Sequence, residues 1–142
     1  MHAPAIARER GIKVIEARAP QTSGYLNAIA VQARTASRTL AVEGAVFGGD
    51  TVRVVKIDGF RMEAVPEGHI LMLHNRDVPG VVGRVGTLLG ERGINIAGIE
   101  LGRERVGGMA LSLIHVDEAV PREVLDELRT LPQIVSAQVL RL

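Results

Sequence analysis

The chain has 142 residues, 46% of them hydrophobic and 23% charged, with a formal net charge of +1; this is a globular composition, long enough for one domain or two small ones. Near-neutral charge and only three aromatic rings (Tyr25, Phe47 and Phe60) argue against nucleic-acid and acidic-membrane partners. With no cysteine there are no disulfides, thiolate nucleophiles or zinc–cysteine sites, and with no long apolar run and no signal core at Met1-His2-Ala3-Pro4 the expectation is a cytoplasmic protein.

Ala5–Arg10 reads as a short helix stopped by Gly11 in a left-handed cap. Ile12–Arg18 reads as a strand, followed by a loop over Ala19–Gly24. Tyr25–Gln32, Arg38–Phe47 and Thr51–Ile57 are strands rich in Val, Ile and Ala. Asp58-Gly59 is a two-residue hairpin signal, and Phe60–Val65 is the returning strand. Residues 1–65 are therefore expected to form a β-rich unit, and Pro66-Glu67-Gly68 marks a boundary.

Beyond it the periodicity changes. Ile70–His74 is a continuous apolar strand. Val81, Val82, Val85, Leu88 and Leu89 have helical spacing, with Pro79 predicted at the helix start and Gly93 at its end. Asn95–Leu101 is a strand, Gly107-Gly108 a turn, and Met109–Val116 another strand. Pro121 opens a second helix with Val124, Leu125, Leu128 and Leu131 on one face; Pro132 stops it, and Ile134–Leu140 is the last strand. Residues 69–142 thus predict a βαββαβ, ferredoxin-like order with both helices on one face of an antiparallel sheet. The fold class is α+β. Interior glycines at 83, 86 and 90 each cost a helix roughly 0.5–1 kcal/mol. They imply close approach of a neighbouring backbone, inside the subunit or across an interface.

The segment from His74 to Gly83 places polar side chains and a helix start at the end of an apolar strand. Unpaired N–H groups near Val81 and Val82 favour a carboxylate. Asp77 can accept from an ammonium, and Asn75 and Asn95 can both donate and accept. The set suits a small zwitterion. The same residues also read as ordinary structure: Asp77 as a helix cap, Asn75 as a loop residue, Asn95 as a turn residue after glycine.

Signals for chemistry are lacking. Glycines 80, 83 and 86 do not have Rossmann spacing, no histidine pair has ligand spacing, and no serine sits in a nucleophile elbow. No catalytic residue and no metal site is expected. Arg53, Lys56 and Arg61, near the hairpin, form a basic group that reads either as a solvated face or as a candidate anion site built on Arg53 and Arg61.

Residues 69–142 resemble an ACT domain. The whole chain is similar to the regulatory half of the long bacterial D-3-phosphoglycerate dehydrogenases. The stretches that carry the likeness are residues 3–11, Val46-Phe47-Gly48-Gly49, residues 54–60, Pro66-Glu67-Gly68-His69 and residues 85–90. The resemblance implies that 1–65 are part of an intervening domain, and that the chain is a fragment whose NAD-dependent catalytic part lies elsewhere. It implies L-serine as a feedback inhibitor, held between two paired ACT domains by Asn75, Asp77, the Val78 backbone and Asn95 of the adjacent domain. Arg53 falls near a basic residue of the family's anion site, and a second arginine of that site falls at Val65. The rival expectations are the regulatory module of an L-serine dehydratase, a free-standing enzyme on a ferredoxin-like fold, and a dimerisation module without ligand.

Overall fold

The computed structural model describes residues 2–18 and 27–142. Helix α1 (Ala3–Glu9) begins and ends earlier than predicted and buries none of its residues. Gly11, at φ 69, closes it. The Gly11 N–H donates to Arg8 O (3.1 Å) and the Ile12 N–H to Ala7 O (2.8 Å), the pair of bonds that satisfies the last helical carbonyls. The predicted strand Ile12–Arg18 is not one. It is exposed throughout and pairs with no strand among the described residues. Apolar alternation alone does not supply the neighbour that strand N–H and C=O groups require. The loop predicted over 19–24, and the first residues of the strand predicted from Tyr25, lie outside the described residues.

The first sheet is an antiparallel meander of β1 (Ala28–Arg34), β2 (Thr39–Phe47), β3 (Thr51–Ile57) and β4 (Phe60–Ala64), in that spatial order. Asp58 (φ 47) and Gly59 (φ 89) turn β3 into β4, the positive angles a two-residue hairpin demands. Asp58 also ties the turn to β2: Ala41 N–H donates to its carboxylate at 2.8 Å, and its own N–H donates to Ala41 O at 2.8 Å.

The second sheet contains β5 (His69–Arg76), β6 (Ile96–Arg103), β7 (Met109–Val116) and β8 (Ile134–Arg141), ordered β6-β7-β5-β8. Helices α2 (Val81–Glu91) and α3 (Arg122–Thr130) complete a βαββαβ unit. The α+β class and the ferredoxin-like order are as the sequence predicts.

Side chains of β5 alternate between two buried layers. Leu71 and Leu73 join Val85, Leu89, Ile114, Leu125 and Leu128 under the helices. Ile70 and Met72 join Leu111 and Leu113 against Ile57, Met62 and Ala64 of the first sheet. Both faces of β5 are therefore covered, which explains its unbroken apolar run. Each fully buried leucine in these layers stabilises the fold by about 1.5–3 kcal/mol. Residues at the two ends of the second unit are also joined: Gly68 and Leu142 exchange backbone bonds at 3.2 and 3.1 Å.

The two sheets approach most closely where β4 crosses β6. A Cβ built on Gly102 would lie 2.6 Å from the Arg61 carbonyl oxygen and 3.2 Å from Phe60 Cβ. The helical glycines behave differently. Gly83 and Gly90 have nothing within 4 Å of such a Cβ, and Gly86 meets only the Ile96 side chain, at 4.0 Å. Close packing inside one chain, one of the two explanations predicted for them, is therefore not found at Gly83 or Gly90. Among the described residues no helix is long and apolar enough to cross a membrane.

Candidate functional site

The end of β5, the start of α2 and the end of β6 converge. In register, Asn75 and Arg103 both lie opposite Ala110 of the central strand β7. The polar residue that closes β5 and the basic one that closes β6 therefore flank the same position.

Asn75 points inward and is 2% exposed. Its Oδ1 accepts from Ser112 Oγ at 3.1 Å, and its Nδ2 donates to Arg76 O at 3.0 Å. One N–H and one lone pair of the amide remain. The segment that follows leaves the sheet under control of the β6–β7 turn: Asp77 N–H donates to Gly108 O at 2.9 Å. Val78 is exposed, and its N–H is committed to Arg76 O at 3.0 Å, so only its carbonyl remains to meet a ligand.

Pro79 does not open the helix, contrary to the sequence expectation. Gly80 intervenes as the N-cap residue, at φ 89 and ψ −8, the angles a type II turn requires after proline. The turn reverses the chain before the first helical bond, Arg84 N–H to Gly80 O at 3.0 Å. Among the described residues no side chain caps α2. Asp77 is therefore not its cap. Its Oδ2 instead accepts from Arg103 Nη1 at 3.2 Å. The N–H groups of Val81, Val82 and Gly83 meet no backbone carbonyl among the described residues.

Asn95 is elsewhere. It immediately precedes β6, whereas Arg103 ends that strand. Its Nδ2 donates to Asp117 Oδ2 at 2.7 Å, and its carbonyl accepts from Asp117 N–H at 3.2 Å. A strand of this length spans roughly 25 Å. One chain thus brings Asn75, Asp77 and Val78 together and leaves Asn95 at the far end of the same sheet.

Strand β6 is a sheet edge. Two of its apolar side chains, Ile99 and Leu101, are 38% and 42% exposed, and Val82 on α2 is 46% exposed. Gly83 of the same helix is exposed, and Gly86 is half-buried beside the Ile96 side chain.

Arg103 and Asp117 were not singled out by sequence reasoning as site residues. The available signal was positional: one ends the edge strand level with Asn75, and the other follows β7 level with Asn95. Strand pairing brings two of the three basic residues near the hairpin together. Arg61 lies opposite Lys56, whereas Arg53 lies opposite Ala45 and donates to Val52 O at 2.8 Å. Among the described residues no cluster of three His, Asp or Glu side chains forms a metal-holding group.

Comparison with known proteins finds the ACT domain family over residues 69–133 and the D-3-phosphoglycerate dehydrogenase intervening domain over residues 1–58. The D-3-phosphoglycerate dehydrogenases of Methanocaldococcus jannaschii and Bacillus subtilis are each 34% identical over 142 residues. Each match takes in 100% of this chain and 27% of the relative. The Archaeoglobus fulgidus D-3-phosphoglycerate dehydrogenase is 37% identical over 139 residues, 96% of this chain and 26% of the relative. The chain thus spans about a quarter of the length of these curated relatives.

Proposed function

The chain belongs with the regulatory region of the D-3-phosphoglycerate dehydrogenases, and from that premise we propose that it binds L-serine between two paired ACT domains and exerts feedback control on an NAD-dependent oxidoreductase of serine biosynthesis. The observation that carries this reading is that Asn95 precedes the open edge strand β6 while Asp77, which follows β5, is bonded to Arg103 at the other end of β6. Antiparallel pairing of two β6 edges about a two-fold axis sets the start of one strand beside the end of the other. Asn95 of one copy then meets Asp77 of the second. Two equivalent sites result, each incomplete in a lone chain.

Pairing also answers two local problems. It satisfies the unpaired backbone of an apolar edge. It gives Gly83, whose added Cβ would meet nothing within 4 Å among the described residues, a surface to meet.

In the paired site Asp77 takes the ligand ammonium and the α2 N-terminus lies near its carboxylate. Asn95, held in orientation by Asp117, reaches the hydroxyl. The Val78 carbonyl and the spare valences of Asn75 complete the set. Serine offers few heavy atoms, so a ceiling of about −1.5 kcal/mol per atom permits micromolar affinity only when most of its polar groups are matched. Because serine bridges two copies, it favours the closed pair, and that preference is the free energy available to regulate attached catalytic domains.

Titration calorimetry at protein concentrations that maintain the pair tests the reading. Saturable heat with L-serine, weaker with glycine and L-alanine, supports it; absence of heat overturns it. Asn95→Ala separates it from a module that only dimerises. A ligand site loses serine binding and keeps the pair, whereas a structural contact loses the pair.

A further inference from the structure

We infer that Arg103 is a specificity-determining residue of this site: the Asp77–Arg103 pair is a charge-matched receptor for a zwitterion, with Asp77 taking the ammonium and Arg103 the α-carboxylate. The inference rests on the reading that this end of the sheet binds an amino acid, and adds to it a residue and a selection rule.

The ion pair is loosely made. One nitrogen meets one oxygen at 3.2 Å, longer than a charge-assisted bond at its best and without the two parallel bonds a guanidinium makes to a carboxylate it fully engages. Neither the remaining guanidinium N–H groups nor Asp77 Oδ1 has a hydrogen-bond partner among the described residues. Unused donors and an unused acceptor therefore stand beside each other on opposite charges. Their side chains are 53% and 20% exposed, so the pair is reached from solvent through the arginine. A single-bonded contact whose arginine is exposed contributes little to stability, and opening it to admit a ligand costs little.

The backbone beneath Arg103 is fixed, and its side chain is about half exposed. Arg103 pairs with Ala110 of β7, and its neighbour Gly102 is pressed against the Arg61 carbonyl. The guanidinium is therefore carried on a set origin. A planar fork on such an origin suits a carboxylate.

Charge gives the selection rule. A zwitterion presents each pole to its opposite and adds no net charge. An amine without a carboxylate meets Asp77 but is repelled by Arg103; a carboxylic acid without an amine meets Arg103 but is repelled by Asp77.

Titration calorimetry on the intact chain, at concentrations where sedimentation shows the pair to be complete, tests this. The panel is L-serine, ethanolamine and 3-hydroxypropionate, against the wild type, Arg103→Gln and Arg103→Lys. The expected result is at least a tenfold loss of L-serine affinity in R103Q, a smaller loss in R103K, and a narrowed preference for L-serine over ethanolamine in R103Q. Unchanged or tighter L-serine binding by R103Q, with the pair intact, overturns the inference and leaves the serine-site reading standing. Loss of the pair in R103Q with the affinity of the remaining pairs unchanged also overturns it, making Arg103 an interface residue. A wild type that binds none of the panel overturns both readings together.

Discussion

Replacement of Gly102 by alanine isolates the contact between the two sheets. The added Cβ would sit 2.6 Å from the Arg61 carbonyl oxygen, with Phe60 Cβ at 3.2 Å and the Met62 methyl at 3.3 Å. A comfortable carbon–oxygen contact needs roughly 0.6–0.8 Å more, and the obstructing atom is backbone of a paired strand rather than the end of a flexible side chain. Strand β4 must therefore shift, taking Met62 and Ala64 out of their layer against Ile70, Met72, Leu111 and Leu113. Overpacking of this kind costs about 1–3 kcal/mol. A loss of about 2 kcal/mol, divided by a urea slope of about 1.5 kcal/mol per molar, lowers the unfolding midpoint by roughly 1.3 M. Gly98→Ala is the control. It makes the same change on the same strand, at a position whose added Cβ has nothing within 4 Å. Urea unfolding followed by circular dichroism should separate the two variants clearly. A G102A midpoint equal to that of G98A would refute the close crossing of β4 over β6.

Three further outcomes follow from named contacts. Gly83→Ala should raise helix stability by about 0.5–1 kcal/mol, because its Cβ meets nothing within 4 Å among the described residues. In sedimentation equilibrium the same variant should dissociate more readily, since the proposed pairing face contains that glycine; a stabilised variant with unchanged association would move the interface elsewhere. Ser112→Ala removes the donor to Asn75 Oδ1. The buried acceptor left behind should lower stability by about 1–3 kcal/mol in thermal or urea unfolding, and no loss would mean that the bond is not formed. Gly80→Ala forces a side chain into a φ of 89, at a cost of about 1–2 kcal/mol. Near-native stability in that variant would contradict the left-handed turn before α2.

Much of the fold was legible because periodicity and punctuation agreed. The helix over 81–91 showed in the spacing of Val81, Val85, Leu88 and Leu89, all buried, and its end in Gly93 at φ 70. Asp58-Gly59 specified its hairpin through the two positive angles that asparagine-, aspartate- and glycine-containing pairs tolerate. The segment Ile12–Arg18 misled because β-branched alternation reports suitability for a strand but not the presence of a partner. Pro79 misled by one step: proline fits equally at the first helical position and in a turn before it, and the glycine that followed favoured the turn.

The site was legible only in its composition. Asn75, Asp77 and Asn95 announced themselves by residue type next to strand and helix ends. Their relative placement came from topology. That Asn75 is held by Ser112 and Arg76, or that Asp77 holds Arg103, depends on register across β7, which brings together residues far apart in the chain. No local spacing encodes that.

The central claim is that each ligand site is shared between two copies, with Asp77 from one and Asn95 from the other. Complementation tests it most directly. Asp77→Ala and Asn95→Ala, prepared separately, should each bind no L-serine in calorimetry, because both sites of either homodimer lack one group. Mixed in equal amounts and allowed to exchange, they should recover binding at roughly a quarter of the wild-type number of sites, since about half the pairs are hybrids and each hybrid has one intact site of two. Hybrid pairs that form, shown by native mass spectrometry, and still bind no serine would contradict the account.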